Sequence, residues 1–284
     1  MLEMLLNPLR SERRPWELFF IGIFYASLSV LLVNWIFSPD PVLSRYSGIF
    51  IVMFAVIFSM PFVYHTLKIE ERKSSTERNT FRLLKEHARA IESFMWLFIG
   101  LTIAFSFWYI AVDNPDNYRA QIETYCQINN VENFDYCISE YGFSAQGTGF
   151  ATSNQIFTSI LINNLYVLIF TIIFSFLLGA GGIFILAWNS TVISAATLVF
   201  AKSDLYNLPI ALARYLIHGL PEIGAYFIGT LAGGIVGISI IRKEFKTEKF
   251  WDVLHDSLLL IMVAIILLVF ASLVEVYITP KLFF

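Results

Sequence analysis

The chain carries no charged side chain between Glu140 and Lys202. A helix crosses a hydrocarbon core of roughly 30 Å with about 20 residues, so this run holds two crossings with room to spare. The break between them falls at Gly179-Ala180-Gly181-Gly182, because glycine weakens a helix and permits the tight turn that joins antiparallel neighbours. The spans then cover 155–178 and 182–199. A re-entrant hairpin is the rival reading, but it would turn every later segment over and place Arg242, Lys243, Lys246 and Lys249 outside, against the positive-inside rule. With 57% hydrophobic and 14% charged residues, the composition excludes an ordinary soluble domain. No basic run interleaved with aromatics suggests nucleic-acid binding.

Three spans precede this run. Residues 18–39 form an uncharged segment behind Arg10, Arg13 and Arg14. Its length, and its end at Trp35-Ile-Phe-Ser-Pro instead of a small-residue cleavage site, make it a retained span and not a signal peptide. Residues 46–67 and 91–112 form the second and third spans, joined by a segment with seven Lys or Arg residues between Lys68 and Arg89. Ser74 with Glu77 fits a capping box, so a helix is expected to start near Ser75 and run into the third span. Residues 201–218 read as an interfacial amphipathic helix, followed by a sixth span opening at Pro221 and a seventh at 257–274. The fold class is all-α, a polytopic transmembrane bundle of about seven spans. Its expected basic-side segments carry 14 Lys or Arg residues and its outer ones 5, so the N-terminus is expected in the cytoplasm and the C-terminus outside.

The chain divides into residues 1–112, with three spans and a basic hairpin; residues 113–154, a polar loop; and residues 155–284, with four spans. From Asp113 to Asn154 six acidic residues stand against the single Arg119. Cys126 and Cys137 lie in this loop, and an oxidising outer compartment favours a disulfide between them. The alternative, a cation site at Glu123, Glu132 and Asp135, lacks a recognisable ligand spacing.

Chemistry concentrates in residues 218–241, HGLPEIGAYFIGTLAGGIVGISII. Ala225, Gly229, Gly233 and Gly237 recur every four residues and make a helix-packing stripe of the kind that lets membrane helices approach closely. Glu222 projects from roughly the same face, and His218 stands four residues before it. Three readings compete for the pair: hydrogen bonding to freed backbone near Gly219, a proton or ion route, and a catalytic or metal role, for which a nucleophile or third ligand is missing. Trp188, Asn189, Ser190, Thr191 and Ser194, with Asn163 and Asn164, supply uncharged polar groups within the fourth and fifth spans, where such residues bond helix to helix. His65, His87 and His255 are expected to be solvated or interfacial. No P-loop, Ser-His pair or metal-ligand spacing appears, so no catalytic residue, cofactor or metal is assigned.

His218-Gly219, Glu222, Ala225 and the Gly233/Gly234–Gly237 cluster, preceded by Trp188-Asn189, resemble the stage II sporulation protein M family. The resemblance covers the C-terminal part of the chain, 155–284. It departs after the asparagine, where the family tends to place glycines and this chain has Ser190 and Ser194. Bacterial members are multi-span, non-enzymatic proteins that hold a peptidoglycan amidase and a lytic transglycosylase at the engulfing membrane, and relatives occur in archaea. The resemblance implies a non-catalytic scaffold or assembly factor of the cell membrane. It does not carry over those two enzymes, and the partners expected of this chain are the bilayer, other membrane or outer-face proteins, and a second copy of the chain. The competing function is a transporter or permease subunit with Glu222 and His218 lining an ion or proton route.

Overall fold

The computed structural model describes residues 14–74, 80–112, 115–129, 153–201, 206, 208–244 and 247–283. The main elements among them are helices: α1 (Glu17–Phe37), α2 (Ser47–Ser74), α3 (Thr80–Ala111), α4 (Arg119–Asn129), α5 (Ser153–Leu178), α6 (Gly182–Ala201), α7 (Leu208–Ile241) and α8 (Glu248–Leu273). A π turn, Val274–Ile278, carries α8 into a last helical turn, α9 (Thr279–Phe283). Six of these stretches are long and apolar enough to cross a membrane, and α6 is a shorter apolar helix over Gly182–Thr197. The seven expected spans thus correspond to six long helices and one short one. Large apolar side chains cover the outside of the bundle, among them Phe24, Trp35, Phe107, Phe170 and Phe270. In water such a surface would be an aggregation hazard. Against lipid it is the required one.

α7 is the axis of the bundle, with 94% of its most apolar stretch buried, against 22% for α5 and 39% for α8. It packs most extensively on α8, then on α5 and α6, while α1 and α3 form a second close pair. The glycines explain both crossings. A Cβ built on Gly229 would lie 2.5 Å from Leu168 Cδ1, and one on Gly233 or Gly237 would overlap the backbone carbonyl of Ile172 or Phe176. The contacts 168–229, 172–233 and 176–237 keep one constant offset along the sequence, so α5 and α7 run parallel in a fixed register. Gly22 and Gly100 bring α1 and α3 equally close: Gly22 sits on the Leu97 carbonyl and Gly100 on that of Phe19.

The break between α5 and α6 falls where the glycines predict, with Gly179 at φ +71°. Gly179, Ala180 and Gly181 are buried, and the Gly182 N–H donates to Ser175 Oγ at 3.0 Å. Non-helical backbone in hydrocarbon must be enclosed by protein, and here Tyr64 of α2 and Gly234 of α7 lie against the turn.

Three expectations change. Pro221 does not open a helix: it lies inside α7, which begins at Leu208, so the separate amphipathic helix is the opening part of the same rod. Apolar surroundings offer the backbone no alternative partners, so a membrane helix continues past a proline that would end it in water. Glu222 therefore lies well inside a 34-residue helix and not near its end. Ser74 is helical, the last described residue of α2, and not a non-helical cap, while its capping-box partner Glu77 lies outside the described residues. The Cys126–Cys137 disulfide also falls outside them: Cys126 lies on α4, its side chain is not described, and Cys137 is not described at all.

Gly233→Leu should abolish a folded monodisperse species in detergent, since a backbone carbonyl cannot step aside. Gly219→Ala is the internal control. A Cβ there meets nothing within 4 Å, so thermal unfolding should be unchanged or higher, by about 1 kcal/mol at most from the better helix former.

Candidate functional site

His218 and Glu222 lie one turn apart on α7, but their described partners are not each other. Glu222 Oε1 accepts a hydrogen bond from Tyr226 OH at 2.8 Å. His218 Nδ1 is 3.5 Å from Thr279 Oγ1, and its Nε2 is 4.0 Å from Glu275 Oε1. The residue that sequence reading passed over is Glu275. It reaches the group because the π turn carries it. Pro280 has no N–H for the turn before it and its ring crowds the carbonyl four residues back. One extra residue in the coil relieves that crowding, and Thr279 N–H then bonds Val274 O, five residues behind. Such bulges commonly mark functional positions in helices. A proline soon after the glutamate that closes an apolar run was the available signal.

Trp188 and Asn189 do not join this group. Asn189 Nδ2 donates to Ile185 O of its own helix at 2.7 Å, and Trp188 packs on the apolar core. Their neighbours do bridge helices. Ser190 Oγ lies 3.0 Å from Thr102 Oγ1 of α3, and Ser194 Oγ donates to Thr102 O at 3.0 Å and to Ser190 O at 2.7 Å. The serines that stand where glycines were expected therefore form the polar seam between α6 and α3.

A second polar layer closes the other end of α7. Glu70 and Glu71, at the end of α2, have side chains with no solvent exposure. Glu70 Oε2 is 2.5 Å from His87 Nδ1 of α3 and its Oε1 accepts from Lys73 Nζ at 2.7 Å. Glu71 pairs with Arg242, just past α7, and with Lys249 Nζ of α8 at 3.1 Å. His87 is thus a buried hydrogen-bonding partner of Glu70 and not a solvated residue, whereas His255 is exposed as expected. The end of α7 is shaped to deliver Arg242: Lys243 adopts a left-handed conformation (φ +62°). Lys243 N–H then bonds Ile240 O and Glu244 N–H bonds Ser239 O, a Schellman closure with lysine in the usual glycine position. Partial burial works against the Glu244 charge, but the Lys249 ammonium at 3.0 Å prevails and holds its carboxyl below the ordinary range. The basic loops were legible as topology markers. That two acids inside one of them would be buried was not.

Long apolar helices, a lipid-suited exterior and ionisable residues confined to enclosed layers define a multi-pass helical membrane protein. A match to the family model "Stage II sporulation protein M" over residues 49–280 places the chain in that family. The matched region begins well before position 155, where the resemblance in sequence starts. An uncharacterized protein, MJ0793, of Methanocaldococcus jannaschii is 34% identical over 132 residues, which covers 44% of this chain and 72% of that protein. No solved structure matches the chain.

Glu71→Ala would leave Arg242 without its carboxylate and Lys249 with Glu244 alone, and breaking such a pair around a buried acid should cost about 3 kcal/mol. Glu123→Ala, in the exposed Arg119–Glu123 pair, should cost less than about 0.5 kcal/mol. Thermal unfolding of the two variants in one detergent checks the contrast, and equal losses would contradict it.

Proposed function

We propose that the protein is a non-catalytic scaffold or assembly factor of the cell membrane, with its N-terminus in the cytoplasm and its C-terminus outside, that holds a partner helix against α5. The observation that carries this reading is Asn163. It lies on the exposed face of α5 beside Ile162, Tyr166, Phe170 and Ile173, so a carboxamide that needs a hydrogen-bond partner stands on an apolar exterior. Lipid tails cannot supply one, whereas a neighbouring helix can, and carboxamides commonly bond across membrane helices. The orientation rests on the excess of Lys and Arg in the two loops at the Glu71 end. Family membership agrees with a structural role, and the described polar groups of α6 and α7 are largely occupied inside the bundle.

A second reading, a permease subunit, draws support from two features. His218 approaches Glu275 to 4.0 Å one turn from Glu222 on α7, and α1/α3 and α5/α7 form two glycine-packed parallel pairs of opposite sense, a habit of transporters built from inverted repeats.

A photoreactive benzoylphenylalanine at Tyr166, expressed in native membranes, should yield one discrete protein adduct that falls at least 10-fold when Asn163→Leu is added. Adducts with lipid alone would overturn the scaffold reading. In reconstituted vesicles no ion or proton flux is expected, and flux abolished by Glu222→Gln would establish the second reading instead.

A further inference from the structure

α5 is the least enclosed of the six long spans, with 22% of its most apolar stretch buried, and one line of residues runs down the middle of its uncovered face. Ser159, Asn163, Tyr166, Phe170, Ile173 and Leu177 are all exposed and follow one another at steps of four, three, four, three and four. That alternation is a heptad seam, the pattern by which one helix sets its side chains into the holes of a second. The opposite face, with Asn164, Leu168, Thr171 and Ser175, is buried in the bundle. An exposed apolar helix face always shows some such spacing, and lipid alone satisfies it. Lipid does not satisfy Asn163. Among the described side chains of the six long spans it is the one exposed carboxamide. At about 1.5 Å per residue it lies roughly 9 Å inside the Phe157 end of its span. Asn34 and Asn189 turn a side-chain N–H back onto the carbonyl four residues behind. The same device at Asn163 would answer one N–H and still leave a second N–H and the carbonyl oxygen facing hydrocarbon.

The membrane narrows what the partner can be. Copies of one chain insert in one orientation, so a two-fold axis between them stands along the membrane normal and their α5 helices are parallel. Each seam residue then meets its own copy at its own depth. A carboxamide is donor and acceptor at once, so two copies of Asn163 satisfy each other reciprocally. An unlike helix would have to carry a hydrogen-bonding group at that same height. A single asparagine on the seam of a parallel two-stranded coil also fixes its register and its number of strands. The seam carries neither glycine nor alanine, so the two helices meet through interlocking side chains, whereas the inner face of α5 rests its backbone on the glycines of α7. We propose that the protein is a homodimer joined along the α5 seam, with Asn163 paired to Asn163 of the second copy. This rests on the reading that α5 holds a partner helix, and it identifies that helix as α5 of a second copy.

The full chain with benzoylphenylalanine at Tyr166, expressed in native membranes together with a second copy that carries a larger tag, tests this directly. The size of the Tyr166 adduct should shift with the tag of the second copy. Asn163→Leu in both copies should lower that adduct about 10-fold, as expected for the loss of two hydrogen bonds between helices in an apolar setting. Asn163 lies on the outer face, so the leucine variant should remain a monodisperse species in detergent, with about half the parent's mass by light scattering. Benzoylphenylalanine at Phe107, on the exposed face of α3, should give no tag-dependent adduct. A Tyr166 adduct with a different protein would overturn the dimer and leave the scaffold reading standing, and adducts with lipid alone would overturn both. A tag-dependent adduct undiminished by Asn163→Leu, or one equally strong from Phe107, would also overturn the proposal.

Discussion

The backbone carbonyls of Ile172 and Phe176 rest directly on Gly233 and Gly237, and a Cβ at either glycine would push α5 away. Lipid is as apolar as leucine, so membrane helices associate through close packing and not through hydrophobic drive. Fixing α5 on α7 at this separation sets the depth of the Gly179–Gly182 turn, which lies against Gly234 and Tyr64. The turn in turn directs α6 away from α5 and onto α3, where Ser190 and Ser194 meet Thr102. α6 thereby becomes the element that couples the glycine pair of the C-terminal half to that of the N-terminal half.

The far end of α7 depends on the same placement. Arg242 arrives at Glu71 only because α2 and α7 run side by side from the Leu67–Gly234 contact onward. Burying two adjacent acids is costly, and partners for them come from three other elements: His87 from α3, Arg242 from the end of α7 and Lys249 from α8. The layer acts less as a source of stability than as a register lock, because a helix shifted by one turn would leave an unpaired charge where water is scarce. Glycine contacts tolerate sliding along a groove. Ion pairs at a fixed height do not.

Helix existence was legible because hydrocarbon thickness imposes a length, and the fourth span ends at Leu178 as read. The stripe at Gly229, Gly233 and Gly237 was legible because small residues at a spacing of four have few other uses in a membrane helix. What escaped depends on which face a residue presents once its helix is packed. Glu70 and Glu71 sit in a basic loop sequence that looks solvated, and nothing local shows that α7 will end beside them. Pro221 misleads, since aqueous rules read proline as a boundary while an apolar solvent lets the coil continue around it. Gly22 and Gly100 are single glycines without a repeat, so the contact they make between distant parts of the sequence has no periodic trace.

That last pair bears on the architecture as a whole. α1 and α3 touch through Gly22 and Gly100, and the contacts Phe19–Trp96 and Ser27–Trp108 make them parallel, with α2 returning between them in the chain. α5 and α7 run parallel through the stripe, with α6 returning between them in the same way. Glu71–Arg242 and Leu67–Gly234 make α7 parallel to α2, while Phe62–Phe94 and Glu70–His87 make α2 antiparallel to α3. The second triplet therefore stands upside down relative to the first. The chain shows no matching sequence repeat, and packing does not demand one, because each crossing needs only a small residue where two backbones touch. Among the long described helices, α8 stands outside both triplets. It lies along α7 and brings Glu275 and Thr279 to His218, so the polar group forms where the near-symmetry of the two triplets is broken.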